Sequence, residues 1–589
     1  MKNQGEGFLS KQINSLNLIL VTGRTILQGT KVEEKLSKHY EEYVAVARLN
    51  PKDMAKLGVK SRDTVKVMGP GGEVVVKAQV GAEVPEGVIF IPMGPWAECV
   101  VEPRTDSTGM PGFKSIPVKV MKTDEPVTPL SKIYGYDGQP LPNLGMSLEI
   151  EAKGDVKRFT DVVCPFCGCL CDNLIVNVYG NRIVKVLNAC PLSLSKFMGI
   201  YESRILEPKI KVNGEFVKVP LEKAIEKAAE ILINAKYPVL YGWASTSVET
   251  IRLGLELAEI VGGVFDHTAT FCHGPTALGF HEIGMPKSTL GQIKNRADVI
   301  VYWGSNVTEA HPMHPSRYSF TSIGRFRKGR KDRKLIVIDV RETGAARNAD
   351  MFIQVEPGKD FELLVALRLL VQGKELEAPV IAGVPREKVV ELADTLMSAK
   401  FGVMFVGVGL TMSGAKEKNF EELFRLLHDL NTISKWVVIP MRGHFNVTGA
   451  DLVMIWTTGY PYAVDLSRRY PRYQPGITST ADIFLRGEAD ALLNIASDPL
   501  AHFPKKVVEN MMKVPIITID PKWSLTAAFS KVVIPSAFVG IECPGTAYRM
   551  DDVPIRLKKI VDPPPGVLCD EEIVRMLLEK VKEKLGVKK

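Results

Sequence analysis

Five of the nine cysteines in this chain fall between positions 164 and 190, spaced Cys164-x2-Cys167-x3-Cys171-x18-Cys190, with Cys169 as an extra thiol inside the loop. Three thiolates from a tight loop and a fourth from farther along the chain suit the corners of a cubane 4Fe-4S cluster. Structural zinc is the alternative, but a four-cysteine zinc site usually pairs two short-spaced motifs, and the second CxxC is missing here. Spacing leaves open whether Cys169 or a neighbour is the spare thiol. Lys196, six residues beyond Cys190, either faces solvent or bridges the cluster to a second redox group. A separate cysteine, Cys272, has His273 beside it at the junction of a strand-like run and a helix-patterned run. A helix N-terminus there would favour its thiolate, the metal-binding form, and an imidazole titrating near neutral pH suits proton transfer. Arg442 offers a planar cationic fork matched to a carboxylate. Cys99, Cys543 and Cys569 show no partner pattern and read as packing residues.

The elements that must hold these groups fall into blocks. The first ~120 residues alternate short strand-like runs with turns: 18–23, 64–80 broken by Gly69-Pro70-Gly71-Gly72, and 87–94. Residues 122–157 are rich in Pro and Gly without sustained periodicity and read as a connector. The cysteine segment ends in DNLIVNVYGNRIVKVL, a hairpin turned at Gly180-Asn181. From about residue 206, apolar runs alternate with helix-patterned stretches: PVLYGW, DVIVYWGSN, KLIVIDVRE, FGVMFVGVG, KWVVIPMRG, DALLNIASD, PIITID and KVVIPSA. That alternation predicts parallel α/β sheets. Eight strands exceed one small nucleotide-binding unit and predict two α/β domains, interleaved in sequence. Several runs end in small or polar residues, such as Gly304-Ser305-Asn306, and in open α/β sheets ligands sit at the carboxyl ends of strands.

Composition bounds the rest. A 589-residue chain with 45% apolar and 24% charged residues is an ordinary multidomain folded protein. Its net charge of +8 is interleaved, with no basic face suited to nucleic acid. The densest basic run, residues 325–334, reads as a solvated loop. No apolar run approaches the ~18 residues needed to span a bilayer, and the polar N-terminus predicts a cytoplasmic protein. His311 and His314 are flanked by prolines, which argues against a metal pair on one helix face.

The quoted segments resemble molybdopterin oxidoreductases of the formate dehydrogenase type, and most closely the formylmethanofuran dehydrogenase of methanogenic archaea. CHGPTALGF from Cys272 is similar to the metal-ligating Cys-His segment of its catalytic B subunit, and MRGHFNVTGAD from Met441 to the segment supplying an active-site arginine. ADVIVYWGSNVTEAHPMH, VIDVRETGAARNADMFIQVEPGKD and GIECPGTAYRMDDVPIRLKK extend the likeness across most of 158–565. ARLNPKDMAKLGVKSRDTVKV and VPEGVIFIPMGPWAECVVEPRTDSTGMPGFKSIPV resemble the separate D subunit, a double-psi β-barrel. The chain therefore looks like a D–B fusion, with the barrel ahead of the catalytic part, where typical relatives carry it at the C-terminus.

The resemblance implies a double-psi barrel over 1–125, a linker over 126–157, a 4Fe-4S domain over 158–205 and Rossmann-like α/β domains over 206–589. It implies tungsten or molybdenum on Cys272, with His273 and Arg442 catalytic. Two molybdopterin guanine dinucleotides would be held by Gly304, Ser305, Asn306, Glu309, Asp339, Arg341, Thr343, Gly358, Asp360, Gly443 and Asn446, with Asn50, Asp53, Thr105 and Asp106 from the barrel and Lys196 between cluster and pterin. The implied activity is reversible reduction of carbon dioxide to formate in methanogenesis. The implied partners are an amidohydrolase, a C-type subunit and ferredoxin-like subunits. A stand-alone formate dehydrogenase and a relay subunit without pterin are the alternatives.

Overall fold

The computed structural model describes residues 15–135, 148–149 and 154–587. Among them, six strands close a barrel in the order Ser15–Gly23, Val88–Pro92, Val46–Leu49, Gly72–Val80, Thr64–Gly69, Lys114–Thr123. The first two pair in parallel, as do the third and fourth, and the Gly69–Gly72 turn joins an antiparallel hairpin. Closure removes free sheet edges.

Two α/β sheets follow. A nine-stranded sheet has five parallel strands at its centre, ordered Val532–Pro535, Ile516–Asp520, Ala491–Ile495, Pro238–Gly242, Val264–His267. A five-stranded, wholly parallel sheet runs Met351–Gln354, Lys334–Asp339, Val299–Trp303, Phe401–Val406, Lys435–Pro440. Its strands are inserted in sequence between Val264–His267 and Val464–Asp465, so the two sheets are interleaved. Continuous runs such as VIVYW are buried at every position because both sheet faces are covered. Helices Asp360–Val371, Arg386–Met397 and Glu417–Asn431 share one hydrophobic cluster with the five-stranded sheet. The cysteine-bearing antiparallel sheet, Val156–Val162, Leu174–Tyr179 and Arg182–Leu187, shares another cluster with it. Gly180, at φ +57, turns the hairpin.

The barrel is built into the molecule. Its core is continuous with Tyr241, Val264, Phe271 and Leu492 of the nine-stranded region. The start of the expected connector is anchored too: helix Leu130–Ile133 packs in that cluster, and the Tyr134 hydroxyl donates to the Leu500 carbonyl at 2.8 Å. The rest of the connector lies mostly outside the described residues. Among the described residues, no helix is long and apolar enough to cross a membrane.

Candidate active site

The thiol loop runs between the strands Val156–Val162 and Leu174–Tyr179, closed by the Cys164 N–H donating to the Cys171 carbonyl at 2.8 Å. Cys190 is the N-cap of helix Pro191–Met198 and accepts from the Ser193 N–H at 3.4 Å, while the Cys164 thiol donates to Ser193 Oγ at 3.2 Å. One short helix thus ties the distant cysteine to the loop. Burial first, then the charges of Cys167 and of neighbouring thiols, pushes Cys164 and Cys171 upward, so these sulfurs share one small space. Cys167 is lowered, chiefly by its hydrogen bond with the Cys169 thiol. Sulfur atoms of Cys167 and Cys169 and a ring nitrogen of His311 lie within 4.8 Å of one another. A convergent, buried set of thiols beside basic side chains fits an iron–sulfur cluster, which needs thiolate donors.

The cleft beside this loop holds about 1260 Å³ of space, part of it open to solvent. All five strands of the parallel sheet end in it, through Gly304-Ser305-Asn306, Asp339-Val340-Arg341, Val355, Gly407-Val408-Gly409 and Met441-Gly443-His444. Gly304 has φ +56, and a β-carbon there would sit 2.8 Å from the Gly409 Cα, so two strand ends approach closely enough to open a backbone-lined cradle. Burial raises Asp339, and raises Asp360 to about 6 although Asp360 accepts from the Trp303 indole N–H at 2.8 Å. The opposite wall is barrel: Thr22, Gly23, Arg24, Met93, Lys114 and Ser115. Lys114 donates to the Thr22 carbonyl, and burial lowers it to about 8. Arg341 stacks over barrel Phe90 at 4.3 Å. Polar strand ends facing cations across a large cleft suit an elongated anion carrying phosphates.

Cys272 lines this cavity two residues ahead of helix Gly274–Ile283. Contrary to the expected helix effect, burial dominates and raises the thiol, opposed by Arg442 and by the Gly443 N–H. Arg442 does not line the cavity wall. Its guanidinium pairs with Asp451 at 2.5 Å, and Asp451 also meets His267 at 3.1 Å. Burial pushes Asp451 up, yet Arg442 and His267 hold it below the usual carboxylate range. His273 is fully buried behind Cys272, with Nδ1 3.0 Å from Thr276 Oγ1 and Nε2 3.4 Å from the Met441 carbonyl. Burial and then Arg442 lower it to about 3, so its ring is neutral rather than poised near pH 7.

The two sites touch. A β-carbon on Gly168, inside the thiol loop, would lie 2.7 Å from the Arg442 carbonyl, and His311 Nε2 meets that same carbonyl at 2.8 Å. His311 therefore borders thiols and cavity together, which proline-flanked spacing could not reveal.

Gly304, Ser305, Asn306, Asp339, Arg341, Asp360 and Gly443 line the cavity with Cys272; the other expected cofactor residues do not. Asn50 caps helix Pro51–Leu57, and Asp53 accepts from the Gly87 N–H at 2.8 Å. Thr105 donates to Asp482 at 2.8 Å and Asp106 pairs with Lys416 at 2.8 Å, so both latch the barrel onto the α/β body. Glu309 accepts from the Ile26 N–H, and Thr343 accepts from the Ala346 N–H at 3.3 Å. Gly358 turns at φ +83, and Asn446 bridges Thr246 and Tyr548. Lys196 pairs with barrel Glu33 at 3.1 Å. Sequence reasoning missed Arg24, Lys114, Ser115 and His444. Arg24 follows the carboxyl end of the strand Ser15–Gly23, the signal that pointed to Gly304 and Asp339, whereas Lys114 and Ser115 open the strand Lys114–Thr123 at its amino end, where that signal is silent.

Family comparisons agree with this geometry. Residues 204–580 match the Molybdopterin oxidoreductase family and residues 18–117 the Molydopterin dinucleotide binding domain, so the chain is an oxidoreductase of the molybdopterin-dependent class. It is 49% identical over 434 residues to the B subunit of tungsten-containing formylmethanofuran dehydrogenase 2 from Methanocaldococcus jannaschii, covering 73% of this chain and 100% of that protein. Over 117 residues it is 52% identical to Protein FwdD of the same organism, covering 19% of this chain and 86% of that protein. The chain belongs to the family of formylmethanofuran dehydrogenase B subunits, with a segment of the FwdD type joined ahead of it. Among solved structures, the formyltransferase/hydrolase complex (FhcABCD) from Methylorubrum extorquens aligns with a TM-score of 0.52 at 24% identity, covering 65% of this chain and 100% of that one, a likeness of fold.

Proposed function

We propose that this chain interconverts carbon dioxide and formate at a tungsten- or molybdenum-pterin site fed by a 4Fe-4S cluster, as the catalytic part of a formylmethanofuran dehydrogenase in methanogenesis. The observation that carries the reading is the abutment of the thiol loop on the Cys272 cavity through Gly168, His311 and the Arg442 backbone. Close contact between two redox sites is what electron exchange within one chain requires. The tungsten in the name of the M. jannaschii relative favours tungsten.

In this reading Cys164, Cys167, Cys171 and Cys190 hold the cluster and Cys169 is the spare thiol. Cys272 ligates the metal, and two guanine dinucleotides lie along the strand ends and under the barrel, whose two parallel strand pairs suit a double-psi barrel. Bound there, the pterin metal supplies two-electron exchange with the substrate carbon, and the cluster supplies electrons singly. The protein supplies the surroundings. Arg442, kept in place by Asp451 behind the cavity wall, contributes a positive field at Cys272 that favours the anionic formate. His273 is neutral; its Nε2–H donates to the Met441 carbonyl, which leaves Nδ1, beside the Thr276 hydroxyl, as the nitrogen that would take the proton released when formate is oxidised. Barrel side chains cover the cavity and limit water. We place residues 158–205 as a cluster domain, 1–125 as the covering barrel and the protein in the cytoplasm.

The formyl-transfer half of such chemistry belongs to other chains. We propose an amidohydrolase, a C-type subunit and ferredoxin-like subunits as partners, consistent with the solved formyltransferase/hydrolase complex of like fold. Anaerobically purified protein given a low-potential electron donor and 13C-labelled carbon dioxide should release labelled formate. Failure to do so with iron and tungsten fully loaded would overturn the reading.

A further inference from the structure

We propose that Glu33, supplied by the barrel, offsets the charge of Lys196 and so lowers the reduction potential of the cluster on the thiol loop. The inference rests on the reading of Cys164, Cys167, Cys171 and Cys190 as ligands of a 4Fe-4S cluster. Lys196 rides on helix Pro191–Met198, the helix that Cys190 caps. Its ammonium lies 5.3 Å from the centre of the Phe166 ring, next in sequence to Cys167. Its charge is felt by Cys167 and by His444 on the cavity wall.

That ammonium is not bare. Glu33 Oε1 is 3.1 Å from Lys196 Nζ, with the side chains 31% and 18% exposed. Glu33 belongs to the short 3-10 turn Val32–Glu34, and contacts other than the ion pair fix this segment against the cluster helix. Ser195 Oγ donates to the Thr30 carbonyl at 2.8 Å, and Gly29 packs so tightly on Leu192 that an added β-carbon would lie 2.5 Å from its Cδ2. Glu33 is ionised, held down to about 2: burial works against this, but Lys196, Lys522 and Lys35 outweigh it.

Reducing a cluster adds negative charge, so a nearby cation raises its potential, and a carboxylate paired with that cation cancels part of the field. The pair therefore biases the cluster toward the low potentials that carbon dioxide reduction demands. It also gives the barrel a hold on the electron-carrying site as well as on the cavity.

The test is an EPR-monitored redox titration of the full chain in its purified complex, comparing wild type with Glu33→Gln, Glu33→Asp, Lys196→Met, Ser195→Ala and the Glu33→Gln/Lys196→Met double variant. Glu33→Gln should raise the ratio of reduced to oxidised cluster at fixed potential by several-fold, on the order of tenfold, or about 59 mV for one electron. Glu33→Asp, which keeps the charge, and Ser195→Ala, which loosens docking alone, should titrate as wild type. Lys196→Met should titrate lower, and the double variant, which lacks both charges, should lie between Lys196→Met and Glu33→Gln. An unshifted Glu33→Gln with its cluster signal intact, or a Lys196→Met that titrates no lower than wild type, would overturn the inference. A wild-type protein with no reducible 4Fe-4S signal would instead overturn the cluster reading beneath it.

Discussion

The thiols from Cys164 to Cys190 come from one short stretch of chain, held by a three-stranded antiparallel sheet and one short helix. The walls of the cavity at Cys272 come from Val21 to His444, and close only where the barrel meets the ends of the parallel sheet. A local site depends on few tertiary contacts, whereas a gathered site inherits every contact that docks one domain on another. Damage to docking should therefore empty the cavity and spare the thiol loop.

The largest effect is expected where the cavity chemistry is struck directly. Cys272→Ala should lower carbon dioxide–formate interconversion by more than about a hundredfold, since even outer-shell changes at metal sites cost about 10–100-fold. Iron content should be unchanged, measured by activity and metal analysis on the same sample. Loss of iron as well would show that the two sites are not independent.

Docking comes next. Lys416 is buried, and its ammonium donates to the Thr105 carbonyl at 3.2 Å and the Met110 carbonyl at 2.8 Å while pairing with Asp106. Lys416→Met leaves the two carbonyls without that donor, which costs about 1–3 kcal/mol, while the half-exposed Asp106 stays solvated. Pterin retained through purification should fall while the iron stoichiometry holds. Equal loss of both would break the comparison.

How the sequence betrayed these two regions follows the same division. The cysteine spacing and the Gly180-Asn181 hairpin are local patterns, and apolar runs such as VIVYW and KLIVID announce buried parallel strands. That Gly304 and Asp339 line the cavity could be read because each stands at a strand's carboxyl end, a ligand position whatever surrounds it, whereas Asp360 opens the helix Asp360–Val371. Asn50, Asp53, Thr105 and Asp106 do not line the cavity, and a polar residue that caps a helix or latches a domain looks, in sequence, like one that binds a cofactor. Arg442 held by Asp451, and His311 set between thiols and cavity, exist only through tertiary contact.

Smaller effects refine the cavity side. Asp451→Asn removes the carboxylate that fixes Arg442 and should raise the KM for formate by about 30-fold, the lower end of the about 2–5 kcal/mol that truncating one partner of a buried charge pair costs, at about 1.4 kcal/mol per factor of ten. Steady-state kinetics would read this, and a change in kcat alone would point to a role other than carboxylate binding. Smallest of all, Asn50→Ala should cost about 1 kcal/mol of barrel stability by loss of a helix cap. Thermal unfolding would show it with activity unchanged; loss of pterin in this variant would return Asn50 to the cofactor site.

The most direct test of the whole account is metal analysis with pterin extraction on anaerobically purified protein. About four iron atoms and about one tungsten or molybdenum per chain, with guanine-bearing pterin, is the expected result. About one zinc per chain, without iron or pterin, would contradict it.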